Sequence, residues 1–281
     1  FIMKAAIAQI NSILGDLNKN IERHIDCCNK AIAEKADMII FPELSLTGYS
    51  LKDINYDIAF NPYKSDKLKD LLKLSKKISI ICGFVEEAEN FAVYNSAILL
   101  EDGEIKGVHR KIYPPTYGIF EEFRYFSMGT ECAPIESKFG KIGIMVCEDL
   151  WHMSVPYTMA MAGAKILIGI ACSPTRLAIN TESFKNYDVN SDHHKTYARI
   201  LSSYLLFCNR VGFEDGVNFW GGSEIVDPSG NICVVAKIFD EDMIYSEISE
   251  NEVQRARRNA RHFIDEDIDK TVKNLAKLTK S

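Results

Sequence analysis

The sequence predicts an α/β fold, and three observations carry that reading. Met3 to Ile10 reads as a short strand, a helical pattern follows, and Met38 to Phe41 is a second short apolar run. Strand, helix and strand within about forty residues open an α/β domain. Further apolar runs, Ile142 to Val146 and Ala164 to Ala171 (with Lys165 its one charged residue), have the length and composition of strands buried on both faces. Asp102-Gly103 stands between two strand-like runs and is a strong hairpin signal, so the sheet is mixed.

In chain order, Asp16 or Asn18 caps the first helix, which sets Ile21, Ile25, Cys28 and Ile32 on one face. Ser45 to Tyr63 is expected as a loop over the strand ends. Lys64 to Lys77 reads as a second amphipathic helix, with Leu68, Leu71, Leu72 and Ser75 in register. Ile78 to Val85, Tyr94 to Leu100 and Glu104 to Lys111 follow as strands. Ile112 to Gly129 is a long aromatic loop, in which Pro114-Pro115 breaks any strand. Phe139-Gly140 turns into the strand that ends at Cys147. Val155 to Gly163 is a short helix, and Ala164 to Ala171 ends at Cys172-Ser173-Pro174. A helix is expected near Asn190 to Leu205. Phe219 to Val226 and Ile232 to Ile238 flank the turn Asp227-Pro-Ser-Gly230, and Met243 to Ile248 is the last strand. No repeat, low-complexity segment or linker interrupts this order. One domain over residues 3–249 and a charged helical tail over 250–281 are expected, with Phe1 and Ile2 set outside the fold.

The chain has 281 residues, 47% of them hydrophobic, enough for one large core or two small ones. Its 33 basic and 39 acidic residues give a net charge of −6, which argues against a nucleic-acid or membrane-surface partner. No apolar stretch approaches a membrane span, and no charged-then-apolar leader opens the chain. A cytoplasmic location is expected. The eight cysteines mostly lie in apolar runs and include no CxxC pair. Reduced thiols, rather than disulfides or a zinc site, are expected.

The chemistry centres on Lys141-Ile-Gly-Ile-Met-Val-Cys147-Glu-Asp-Leu-Trp-His152. An isolated cysteine is most often a core residue. This one ends an apolar run, where α/β sheets present reactive groups. Two other strand-end segments accompany it, Met38-Ile-Ile-Phe-Pro-Glu43 and Gly107-Val-His-Arg-Lys111. Amide hydrolysis by a thiol needs a nucleophile, a base, an oxyanion stabiliser and an acid for the leaving amine. Cys147 can attack, and Glu43 can take the proton and return it. Lys111 and the Glu148 backbone N–H can stabilise the oxyanion. Lys111 should also favour thiolate at Cys147. Glu148 and Asp149 would oppose it unless they point away. No metal or organic cofactor is required. His193-His194 would suit a thiol protease or metal site, but its polar surroundings read as a solvated helix start.

These three segments, in this order, resemble the nitrilase superfamily of carbon–nitrogen hydrolases. Phe41-Pro-Glu43 with Leu44 to Tyr49 matches its first motif, Arg110-Lys111 closes its second, and Cys147-Glu-Asp149 matches its third. The resemblance implies a four-layer αββα sandwich and a Glu43–Lys111–Cys147 triad. Pro115-Thr-Tyr117, Phe120 to Phe126, Cys147 to Trp151 and Ser173-Pro-Thr175 are most similar to the glutaminase domain of glutamine-dependent NAD synthetases. That likeness implies a second glutamate at Glu122, orienting Lys111 and the amide. It also implies substrate contacts at Tyr117, Glu148 and Ser173. Arg176 or Arg124 is expected to take a substrate carboxylate. The run after Pro174 departs from the synthetase pattern, and no pyrophosphate loop is present.

The expected activity is hydrolysis of a small polar glutamine-type amide through a thioester. An ammonia-supplying subunit of a separate synthetase, a true nitrilase and a catalytically silent binding subunit stand as alternatives. The superfamily resemblance and the tail both suggest a homo-oligomer, the tail packing between subunits.

Overall fold

The structure is a computed structural model in which the described residues are 1–175 and 182–279, without the side chains of 182–184. Two six-stranded sheets lie face to face. In the first, the strands run in the order Asp242–Ser249, Ile2–Gln9, Met38–Ile40, Ser79–Glu87, Val93–Glu101, Glu104–Arg110. In the second the order is Ile232–Val235, Glu224–Val226, Tyr204–Asn209, Ile166–Ala171, Gly140–Val146, Ile135–Ser137. Each sheet has three parallel strands at its centre and antiparallel strands outside them.

Period-two alternation decides the layers. Ala5 and Ile7 face the second sheet, together with Ile81, Ala97 and Leu99, and meet Ile142, Ile144, Val146, Ile168 and Leu206. The residues between them face outward. Ala6, Ala8, Ile39, Ile80 and Ile98 pack under the Leu17–Ala33 helix and Leu68 and Leu71. On the far side, Met145, Leu167 and Leu205 pack under Val155, Met159 and Ala198 of the Ser154–Met161 and Glu182–Ile200 helices. The result is the expected αββα sandwich. A cavity at the central seam, as from Ile144→Ala, costs about 2–5 kcal/mol.

Several boundaries differ from the sequence reading. Phe1 and Ile2 belong to the fold: Ile2 opens the first strand opposite Ser249, and Phe1 packs on the central core. The helix expected from Lys64 to Lys77 is only Lys69–Leu74. The Asn61 and Ser65 side chains accept the N–H groups of Tyr63 and Lys67, which competes with a helical start. The helix placed at Asn190 to Leu205 runs Glu182–Ile200, and Tyr204–Asn209 is a central strand. Its Leu-Leu-Phe run does not separate buried helix from buried strand by pattern alone. Val211–Glu214 adds an unanticipated strand to a small sheet with Val217–Trp220 and Pro174–Thr175. The strand expected from Phe219 to Val226 breaks at Gly221, whose φ of +73° admits the Gln9 amide where a Cβ would lie 2.5 Å from Gln9 Nε2. The tail is two α-helices, Glu250–Asn259 and Ile268–Leu278, with a 3₁₀ turn at Arg261–Phe263 between them.

Candidate active site

Both sheets deliver their chemistry to the same end. Glu43 lies three residues past the Met38–Ile40 strand, and Lys111 directly follows Glu104–Arg110. Cys147 and Cys172 directly follow Gly140–Val146 and Ile166–Ala171. The Glu43 turn crosses directly over the Ser79–Glu87 strand. A Cβ on Gly83 would lie 2.2 Å from the Leu44 nitrogen, so this crossing needs glycine.

Three side chains expected together are together. Lys111 Nζ donates to Glu43 Oε1 at 2.8 Å and to Glu122 Oε1 at 2.8 Å. All three are buried, Lys111 and Glu43 to 1% exposure. Glu43 Oε2 accepts the Cys172 N–H at 2.7 Å, and Tyr49 donates its hydroxyl to Glu122 at 2.6 Å. Glu122 reaches this position because residues 122–125, inside the expected long loop, form one helical turn. Cys147 opens a 3₁₀ turn, Cys147–Trp151, with φ of +49°. A non-glycine residue in that region carries backbone strain, which clusters at functional sites.

The charges around Cys147 set its resting form. Burial pushes its thiol well above the ordinary range, Glu43 pushes the same way, and Lys111 pulls it down. The expectation that Lys111 favours thiolate is therefore outweighed, and Cys147 rests as a thiol that needs a base. Burial opposes the charge on Lys111, but Glu122, Glu43 and Cys147 together hold its pKa well above the usual value. It stays a cation. Burial, with Glu43 adding to it against the pull of Lys111, raises Glu122 to about 7.

Asp149 does not face the thiol. Its Oδ1 accepts the N–H groups of Ile112 and Tyr113 at 3.0 and 3.1 Å. Its Oδ2 accepts the Val146 N–H at 3.0 Å and a His109 N–H at 2.9 Å. One buried carboxylate thus ties the Lys111 strand end to the Cys147 turn. His109 is buried.

The expected substrate contacts are placed as follows. Tyr117 donates to Glu148 at 2.7 Å on the exposed rim. Ser173 Oγ accepts the Trp220 indole N–H at 3.0 Å, and its backbone N–H donates to Asn209 at 2.8 Å. Arg176 lies outside the described residues. Arg124 is exposed and sits over the Tyr125 ring, so it faces away from the buried cluster. A cavity of about 410 Å³ opens between Tyr117, Phe120, Pro174 and Lys185. A smaller one, about 260 Å³, reaches Tyr49, Glu122 and Phe126.

The reading of His193-His194 as solvated is corrected. His194 is buried and donates to Glu224 at 2.7 Å, and His193 packs against Trp151 and Tyr197. Among the described residues, no three His, Cys, Asp or Glu side chains gather where a metal ion could be held. Sequence reasoning missed Tyr49 and Asn95 as members of the buried cluster. The available signal at Asn95 was a polar Asn-Ser pair heading an otherwise apolar strand.

A sandwich of this kind with a buried Glu–Lys–Glu cluster beside a strained cysteine turn defines a class of hydrolase. Residues 4–258 match the carbon-nitrogen hydrolase family, and the chain belongs to that family of enzymes. It is 31% identical to the glutamine-dependent NAD(+) synthetase of Acinetobacter baylyi over 87% of this chain and 44% of that protein. The Thermotoga maritima synthetase is 32% identical over 86% of this chain and 41% of its own length. The chain thus spans less than half of these relatives. Among solved structures, a carbon-nitrogen hydrolase from Helicobacter pylori superposes with a TM-score of 0.88 at 26% identity. That match covers 96% of this chain and 97% of the other. No described helix is long and apolar enough to cross a membrane.

Proposed function

We propose that the protein hydrolyses a small polar amide of the glutamine type through a Cys147 thioester. The observation that carries the reading is Lys111 bridging Glu43 and Glu122 at 2.8 Å each, in a buried cluster beside the Cys147 turn. Glu43 takes the Cys147 proton as sulfur attacks the amide carbon. Lys111 and the Glu148 N–H stabilise the oxyanion, while Glu122 orients Lys111 and the amide. The C–N bond breaks as Glu43 returns the proton to nitrogen, and ammonia leaves. Water, deprotonated by Glu43, then splits the thioester to a carboxylate and the free thiol. None of these steps draws on a metal or organic cofactor.

Polar groups at the mouth favour a polar acyl group, because an apolar chain would leave them desolvated and unpaired. Glu148 suits an α-ammonium group, and Lys185, with Arg176, suits a carboxylate. The synthetase relatives add a second reading for the ammonia: delivery to a separate synthetase partner. We also propose that the chain works as a homo-oligomer.

The test is ammonia release from glutamine, asparagine, their deaminated ω-amide analogues, a long-chain amide and the matching nitrile. Glutamine-type amides should turn over fastest. Faster turnover of the long-chain amide or nitrile than of every polar amide would refute the reading. A synthetase partner should raise the basal rate.

A further inference from the structure

We propose that Asn95 is a positioning residue that decides which of the two buried carboxylates carries the proton they share, holding Glu43 unprotonated and leaving the proton to Glu122. This rests on the reading of Glu43 as the base for Cys147.

Without Asn95 the two glutamates are nearly symmetric. Lys111 donates to both glutamates at the same 2.8 Å. Each glutamate has one further donor of similar length, the Cys172 N–H at 2.7 Å for Glu43 and the Tyr49 hydroxyl at 2.6 Å for Glu122. Up to this point neither carboxylate is favoured as the ionised one. Asn95 breaks the tie: its Nδ2 lies 2.7 Å from Glu43 Oε1 but 3.4 Å from Glu122 Oε2. A short bond to the charged form favours that form, and a long one does so weakly.

Asn95 is built for this task. It is 1% exposed, on the Val93–Glu101 strand, and its carbonyl accepts the Lys111 N–H at 2.8 Å. Its Oδ1 is buried without a hydrogen-bond partner. Turning the amide over would aim that oxygen at the ionised Glu43 oxygen 2.7 Å away, so Glu43 holds the amide as it is. The titratable and charged groups facing this cluster are Tyr49, Lys111, Glu122, Cys147 and Cys172, with Arg210 and Glu214 behind Cys172. Burial and its neighbour Glu43 raise Glu122 to about 7.

The test uses the full chain and no substrate, so it is independent of the amide reading. Alkylation of Cys147 by iodoacetamide is followed on the Cys147 peptide across roughly pH 5 to 9 in wild type, Asn95→Leu and Asn95→Asp. Losing the donor should move the acid limb of the rate up by about one pH unit in Asn95→Leu. Asn95→Asp should move it further, because a third carboxylate raises the proton affinity of the cluster. Asp is nearer to Asn in shape than Leu, so a role in packing alone predicts the reverse order. Limbs that stay in place, or that move further in Asn95→Leu, overturn the proposal. Limbs that move as expected in an enzyme inert towards every amide of the panel retain it and remove the substrate reading.

Discussion

The His109 imidazole donates to the buried Asp149 carboxylate at 2.9 Å, closing a knot between the strand that ends at Lys111 and the turn that begins at Cys147. Asp149→Asn keeps the shape of the knot, but its amide nitrogen cannot accept a hydrogen bond. The donors that met the lost oxygen become unpaired in the interior, at about 1–3 kcal/mol each. The expected outcome is a lower denaturation midpoint and a fall in turnover, because Lys111 and Cys147 lose their common anchor. Stability and activity both unchanged would show that Asp149 does not set the spacing.

Cys147→Ala should lower turnover by at least about three orders of magnitude with the fold retained. The neighbouring thiols offer no substitute: Cys172 and Cys208 are fully buried, and burial pushes both well above the ordinary thiol range. Alkylation should therefore map to Cys147 before either. An active Cys147→Ala enzyme, with label on Cys172, would reassign the site.

The strand ends were legible because buried strands write themselves as short apolar runs, and the residue that stops such a run is conspicuous. Glu43 and Cys147 each stop one, whereas Lys111 ends a mixed strand that the Asp102-Gly103 hairpin signal introduces. Glu122 was legible only through likeness, since nothing in Phe120 to Phe126 tells which of two adjacent glutamates turns inward. Helix geometry resolves it: Glu121 is the exposed residue before the turn, and Glu122 is buried on it. Asn95 and Asp149 stayed hidden because their roles lie, apart from the nearby Val146 N–H on Asp149, in contacts with residues 16–52 positions away along the chain, which no local pattern records. Tyr204–Asn209 was misread for the opposite reason, a run apolar throughout with no period to distinguish strand from helix.

The tail carries a prediction about assembly. Ile268, Val272, Leu275 and Leu278 lie along one side of the last helix and are exposed, 44–71%. Eleven residues are too few for a helix to persist in water without packing. A second copy of the chain is expected to cover this face. Sedimentation at micromolar concentration should give at least a dimer, and removal of residues 264–281 should weaken it while sparing Val253, which is anchored in the core. A monomer in both cases ends the idea.

The last prediction concerns acid. His24 is fully buried, donates from Nδ1 to the Asn20 carbonyl at 2.6 Å, accepts the Ser45 hydroxyl at 2.9 Å and stacks on Phe41. Burial lowers its pKa from 6.5 to about 4, against the pull of the Asn20 carbonyl. Between those values the unfolded chain binds a proton that the folded protein refuses. Stability from this group is therefore complete above pH 6.5 and is lost as pH falls towards 4, by about 3 kcal/mol in all. Glu122 works in the opposite sense: its folded value of about 7 lies above the ordinary 4.5, so its contribution grows as pH falls through that window. The measured slope is the sum, and only a difference isolates His24. The stability of His24→Gln, relative to wild type, should rise steadily as pH drops from 6.5 towards 4, even if it is lower at neutral pH. Parallel curves would mean that His24 is not refused its proton. If the curves do diverge, acid acts on the turn that carries Ser45, two residues from Glu43.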